Sequence, residues 1–111
     1  VSDRLPSGIL VSALLRRAND SGGFAVVRAK GDAQAGAILF LLEETAGDRV
    51  MERGIGADGR SGLIETGPRA GGEESVEEYW RRRRARDPDL WVVALAVPEA
   101  ERFVAETIAM I

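Results

Sequence analysis

Between residues 7 and 18 the apolar side chains return every three or four positions. Val11, Leu14, Leu15 and Ala18 fall at i, i+3, i+4 and i+7, the stripe of an amphipathic helix. Pro6-Ser7-Gly8 opens this segment, with Ser7 as the expected N-cap. Arg16 and Arg17 lie in its later half, where positive charge suits the helix dipole. Asn19-Asp20-Ser21-Gly22-Gly23 ends it with turn formers and a glycine able to take φ > 0.

The rhythm then changes to strand-like runs. Phe24–Ala29 (FAVVRA) is rich in apolar and β-branched residues and predicts a strand. Residues 37–42 (AILFLL) form a continuous apolar run, short enough for a central strand covered on both faces. The loop GDAQAG between them is too short for a parallel crossover, so the pair predicts an antiparallel hairpin. After a turn at Gly47-Asp48, residues 49–53 (RVMER) predict a third strand and residues 63–66 (LIET) a short fourth. Residues 67–72 (GPRAGG) read as a flexible connector.

Residues 73–86 predict a second helix, stopped at Asp87-Pro88 because proline drives its predecessor out of the α region. Val76, Tyr79 and Trp80, with the aliphatic stem of Arg83, make the stripe that packs. Residues 90–97 (LWVVALAV) form the clearest strand in the chain. Pro98 then suits the first turn of a third helix, whose apolar face carries Ala100, Phe103, Val104, Thr107, Ile108 and Ile111. A strand around Phe103 and Val104 is the alternative. The order predicts a single α+β domain over residues 1–111. Its sheet is mainly antiparallel, of about four or five strands, with an N-terminal helix, a central helix before the last strand and a C-terminal helix.

Composition narrows the chemistry. With 111 residues, 45% apolar and 30% charged, the chain is expected to bury a core without covalent staples. It has no cysteine and no histidine. That removes disulfides, thiolate metal sites, Ser-His-Asp triads and the usual zinc and iron ligand sets. No cofactor and no metal are expected. Neither a run of the roughly 20 apolar residues a membrane span needs nor a secretory leader in VSDRLPSG is found. The expectation is a cytoplasmic protein with no membrane partner.

Fifteen basic residues face eighteen acidic ones, which disfavours bulk attraction to nucleic acid. Fourteen of the fifteen are arginine and one is Lys30. Five of the arginines fall in the run RRRRAR, as Arg81, Arg82, Arg83, Arg84 and Arg86. This run has two readings. As a binding hand, Arg81, Arg82, Arg84 and Arg86, with Arg16 and Arg17 and with Trp80 to stack, would take phosphates, nucleic acid or another anion. As a surface helix, the same arginines answer Glu73, Glu74, Glu77 and Glu78. Glu77–Arg81 and Glu78–Arg82 are then i, i+4 pairs worth roughly 0.2–0.5 kcal/mol each. Successive residues diverge by about 100° around a helix, so four consecutive arginines cannot form one flat patch. The second reading is favoured. Arg28 lies inside an apolar strand, either facing solvent or paired with an acid in a cleft, where it would be the binding residue of a ligand site. Residues 54–59 spell GIGADG, a literal G-x-G-x-x-G. The RSGLIETGP that follows carries no amphipathic helix, so a loop or hairpin tip is expected there and not a dinucleotide site.

Two blocks carry a family resemblance: ILVSALLRRANDSGGFAVVRAKGDAQAGAILF and DPDLWVV. The first holds a "VxAxLRR" stretch from Val11 to Arg17 and an "AVVRxGDxxAGAIF" stretch from Ala25 to Phe40, with small departures. In these the chain resembles the alphaproteobacterial proteins grouped as domain of unknown function 1491. Ala94 departs from the acid usual in that family, and residues 54–72 follow no family pattern. The resemblance implies a fold and a bacterial home, and no catalytic residue. The sequence therefore points to a non-enzymatic accessory or protein-interaction domain, with a protein partner or self-association through an exposed strand edge or the third helix. A nucleic-acid or anion-binding module is the alternative. A small-molecule binder or enzyme with an arginine/carboxylate cleft is the third.

Overall fold

The computed structural model describes residues 5–68 and 72–110. The chain runs α1 (Ser7–Asp20), β1 (Phe24–Ala29), β2 (Ile38–Leu42), β3 (Arg49–Ile55), β4 (Ser61–Glu65), α2 (Val76–Arg86), β5 (Trp91–Ala96) and α3 (Ala100–Met110). This is the α+β architecture read from the sequence, with a helix at each expected place and five strands. The segment around Phe103 and Val104 is helical, which settles the alternative left open there. Residues 69–71 of the expected connector, and Ile111 on the expected face of the third helix, lie outside the described residues.

The strand order is β1-β5-β2-β3-β4. β2, β3 and β4 form an antiparallel meander. β5 runs antiparallel to β1 and parallel to β2. The expected β1–β2 hairpin is thus corrected: β5 lies between the two strands. The physical reason is burial. Trp91 to Leu95 are all buried, so this apolar run needs neighbours on both edges and layers on both faces. The β1–β2 loop only has to step over one strand, about 10 Å for two inter-strand spacings.

Period-two alternation sorts the sheet's side chains into two cores. Phe40, Leu42, Met51, Trp91, Val93 and Leu95 pack against Val11, Leu14 and Ala18 of α1 and Ala100 and Val104 of α3. Leu39, Leu41, Val50, Val92 and Ala94 point the other way, against Tyr79 and Trp80 of α2. Two helices therefore cover one face and one covers the other.

Local signals explain the boundaries. α2 starts at Val76, three residues later than the acid run suggests. Ser75 caps it: its hydroxyl accepts from Glu78 N at 3.0 Å, and Glu78 Oε1 accepts from Ser75 N at 3.0 Å. This reciprocal box satisfies two amides at the helix start. α1 starts at Ser7 with Pro6 at the cap position and no side-chain cap. The Ser7 hydroxyl, expected to cap, instead donates to the Gly36 carbonyl at 2.5 Å. Pro98 precedes α3 in a turn, where Glu99 takes φ 48°.

GIGADG closes the β3–β4 hairpin. Gly56 N donates to Arg60 O at 2.9 Å, and Gly59 adopts φ +79°. A strand and no helix follows, so a phosphate has no helix N-terminus here.

Candidate interaction surface

The five arginines of α2 and its end spread around the helix, as the 100° step requires. Arg81 meets Glu77 at 3.5 Å and lies 4.8 Å from the Trp80 ring centroid. Arg82 makes a two-pronged contact with Glu74, Nε to Oε2 at 2.9 Å and Nη2 to Oε1 at 3.0 Å. The expected Glu78–Arg82 pair is thus replaced by Glu74–Arg82, because Glu78 is committed to the cap. Arg82 holds the Glu74 carboxyl below its ordinary value through these bonds. Arg83 reaches across to β3 and grips Glu52 at 2.6 and 3.2 Å, while its Nη1 also donates to the Tyr79 hydroxyl at 2.9 Å. Arg84 Nη2 donates to the Lys30 carbonyl at 3.0 Å. Trp80 is buried in the α2-side core, so no base can stack on its face. The structure does not bring the candidate residues together into one hand. Three of the five guanidiniums hold carboxylates and a fourth holds a main-chain carbonyl. Arg86 is the one with no partner among the described residues.

Arg28 stands apart from that cluster. It is the residue at which β1 slips register against β5, between Val27↔Val93 and Ala29↔Val92. Its Nη2 lies 3.6 Å from Glu43, with about half of its side chain exposed. Arg28 therefore faces solvent, and the acid it meets lies at the surface and not in the cleft that the other reading required.

A hub that sequence reasoning missed is Arg49, at the start of β3. Its guanidinium meets Glu44 at 2.8 Å, Glu101 at 3.0 Å and Glu65 at 3.2 Å. It thus ties α3 to the β2–β3 turn and to β4. Hydrogen bonding to Arg49 holds the Glu44 carboxyl below its ordinary value. Glu44 lies across the β2–β3 turn and Glu65 on the neighbouring strand, but the Glu101 contact needs α3 folded over the sheet, which no spacing in the sequence predicts. Among the described residues no group of three acidic side chains is arranged to hold a metal ion.

The two stretches quoted for the family resemblance meet in space. Asp32 N donates to the Asp89 carbonyl at 3.0 Å, and the Trp91 indole donates to the Asp32 carbonyl at 2.8 Å. The Asp32 carboxylate accepts from Ala35 N at 2.8 Å and Gln34 N at 3.2 Å, shaping its own loop. Gly8 N donates to Ala33 O at 2.9 Å, so the same loop receives the start of α1. The motif acts as a structural joint.

The described residues leave two apolar surfaces uncovered. One is a groove of about 1050 Å³ between α1, α3 and the β3–β4 hairpin, with Leu10, Phe40, Leu63 and Ile108 inside and Leu5 and Ile55 at its rim. The other is the edge strand β1. Phe24 and Val26 point to the α2 side of the sheet, beyond the reach of α2, and stay 48% and 44% exposed. Among the described residues no group bonds to the outer edge of β1.

These features define a small α+β protein, built on a mixed five-stranded sheet, in which four of the five clustered arginines are held within its own fold. The chain belongs to the family described as "Protein of unknown function (DUF1491)", whose model matches residues 5–105. It is similar to the crystal structure of a DUF1491 family protein from Caulobacter crescentus CB15, with 35% identity, TM-score 0.73, and 89% of this chain and 94% of that one covered. An NMR structure of a DUF1491 family protein from the same organism gives 34% identity, TM-score 0.71, and 92% and 94% coverage. A solution structure of a protein from A. tumefaciens gives 31% identity, TM-score 0.64, and 86% and 88% coverage. No curated protein matches the chain. No helix among the described residues is long and apolar enough to cross a membrane.

Proposed function

We propose that this chain is a non-enzymatic protein-interaction domain that binds by adding an extended strand to β1. The observation that carries the reading is the state of that edge. Sheet edges are commonly guarded by charge, proline or a covering element, because a row of unpaired amides and carbonyls templates another strand. Here Phe24, Ala25, Val26 and Val27 carry no charge, and the first guard is Arg28 at the register slip. Main-chain bonds would supply affinity, and the alternating Phe24 and Val26 would supply selectivity for apolar partners.

The test uses a synthetic peptide of residues 21–30 (SGGFAVVRAK) as an extended apolar probe, titrated into the isotope-labelled chain. Amide shifts of residues 24–27 should move, and a Val26→Lys substitution should abolish the change. Absence of shifts there at millimolar peptide, with the chain folded, would overturn strand addition.

A second reading rests on the groove. Its volume is ample for a small ligand, and its wall joins apolar Leu10, Phe40, Leu63 and Ile108 to polar Gln34, Glu52 and Arg53, so a small molecule with an apolar body and a polar end is the class it suits. A hydrophobic fluorescent dye that Leu63→Arg fails to displace would remove this reading.

A further inference from the structure

We propose that the strand added at β1 is the β1 strand of a second copy, paired antiparallel about a two-fold axis through Ala25. This rests on the strand-addition reading and narrows its partner to the chain itself.

The register follows from symmetry. An antiparallel pair of identical edge strands in one continuous sheet is related by an axis perpendicular to the sheet. Directly opposed residues then lie on the same face, so the axis must pass through a residue and not between two. Three axes fall inside β1 away from its first and last residues and its slipped Arg28: Ala25, Val26 and Val27. An axis through Val26 sets Phe24 against Arg28, where the main chain has slipped out of register with β5. An axis through Val27 sets Val26 against Arg28. Only the axis through Ala25 sets Phe24 of each copy against Val26 of the other, within the stretch of β1 that pairs regularly with β5. Aromatic against β-branched is among the favourable cross-strand pairs. These are the two large apolar side chains that β1 leaves exposed, so one register covers both, twice.

The charges agree. Arg28 is opposed by Gly22 in this register, so no like charges meet. Its own charge stays within reach of Glu43 in the same chain. The strand is therefore complementary to itself, which no other partner needs to be. The product is a ten-stranded sheet across the dyad, with the α1 and α3 layer continuous on one face.

The chain has no cysteine, so introduced thiols report without background. Phe24→Cys and Val26→Cys chains are prepared separately; both positions are half exposed. In the proposed register the two thiols lie directly opposite when the chains are mixed. Within either homodimer the equivalent Cα atoms lie about 8 Å apart, two residues of rise and one strand spacing, beyond disulfide reach. The mixture under mild oxidation should form a linked dimer at least about tenfold faster than either variant alone, and the parent chain should show concentration-dependent dimerisation by sedimentation. Fast linking of Val26→Cys alone moves the axis to Val26 and overturns the register. A dimer by sedimentation with no preferential linking places the interface elsewhere and overturns the proposal. A parent chain that stays monomeric with no linking overturns it too. If the peptide of residues 21–30 still binds in either of these last two cases, strand addition stands while the second copy is excluded as its partner.

Discussion

Gly36 stands where a methyl group has no room. A Cβ there would come within 2.1 Å of the Asp89 carbonyl oxygen, and one at Gly31 within 2.2 Å. Both clashes are with main chain that is itself held by Asp32 N, so the neighbour cannot step aside. Gly62 is the contrast, since a Cβ there meets nothing within 4 Å and φ lies outside the positive range. Gly36→Ala should therefore cost about 1–3 kcal/mol, the scale of overpacking a filled site. Gly62→Ala should stay within about 0.5 kcal/mol, as at other surface positions. Urea unfolding midpoints at constant slope measure both. Equal midpoints for the two variants would show that the loop–junction contact does not constrain the fold. In the sequence both glycines read alike, as loop formers. What separates them is the approach of residues 87–90, which lie more than fifty positions away.

At the scale of elements, the sequence carried the helices and strands but not how they are ordered in the sheet. Apolar rhythm is a local property, and it placed α1, β1, β2, β5 and α3 within a few residues. The partner of a strand is not local. The β1–β2 hairpin was the simplest pairing for a short loop, and it was displaced by a strand that arrives fifty residues later. The charge pattern of α2 was legible in the same partial way. Glu77–Arg81 follows from spacing alone. Arg83–Glu52 needs β3 beneath the helix, and Glu78 is drawn off by its cap. The Arg83–Glu52 contact makes a pH prediction. Burial pulls the Glu52 carboxyl upward, but hydrogen bonding from Arg83 and from Thr66, with the charge of Arg83, together outweigh it, and the carboxyl ends below its ordinary value. A group depressed in the folded state stabilises above its unfolded pKa, about 4.3 for glutamate. That contribution is lost as pH falls through the folded value. Glu52→Gln should lower stability at pH 7 and flatten the fall in stability below about pH 4.3. Unfolding midpoints from neutral to acid pH check this. Glu44 and Glu74 also titrate low, so the difference between parent and variant is the relevant curve. Parallel curves would mean that Glu52 contributes no acid sensitivity.

Across the whole molecule, the candidate site was legible as a list of residue types and misleading as a place. Arg81, Arg82, Arg84 and Arg86 are where the run puts them, but a guanidinium that already holds a carboxylate must give it up before it can bind phosphate. Arg82 would exchange two bonds to Glu74, and Arg83 would strand the half-buried Glu52. The surface that does lack partners, Phe24 and Val26, carries no chemical flag, because exposure of an apolar strand depends on where the neighbouring helix stops. The formal charge of −3 adds a long-range repulsion from polyanions. The chain is therefore expected not to bind a single-stranded RNA or a DNA duplex at 50 mM salt. A true hand neutralising about four phosphates would give log affinity falling with log salt at a slope near −3 to −4 on duplex DNA. Releasing the arginines is the sharper experiment. Glu74→Gln with Glu77→Gln frees Arg82 and Arg81 and changes the formal charge by two. If intramolecular pairing is what silences the run, this variant should bind with a measurable salt slope while the parent does not. Binding by the parent with the full slope would show that the acids beside the arginines do not hold them.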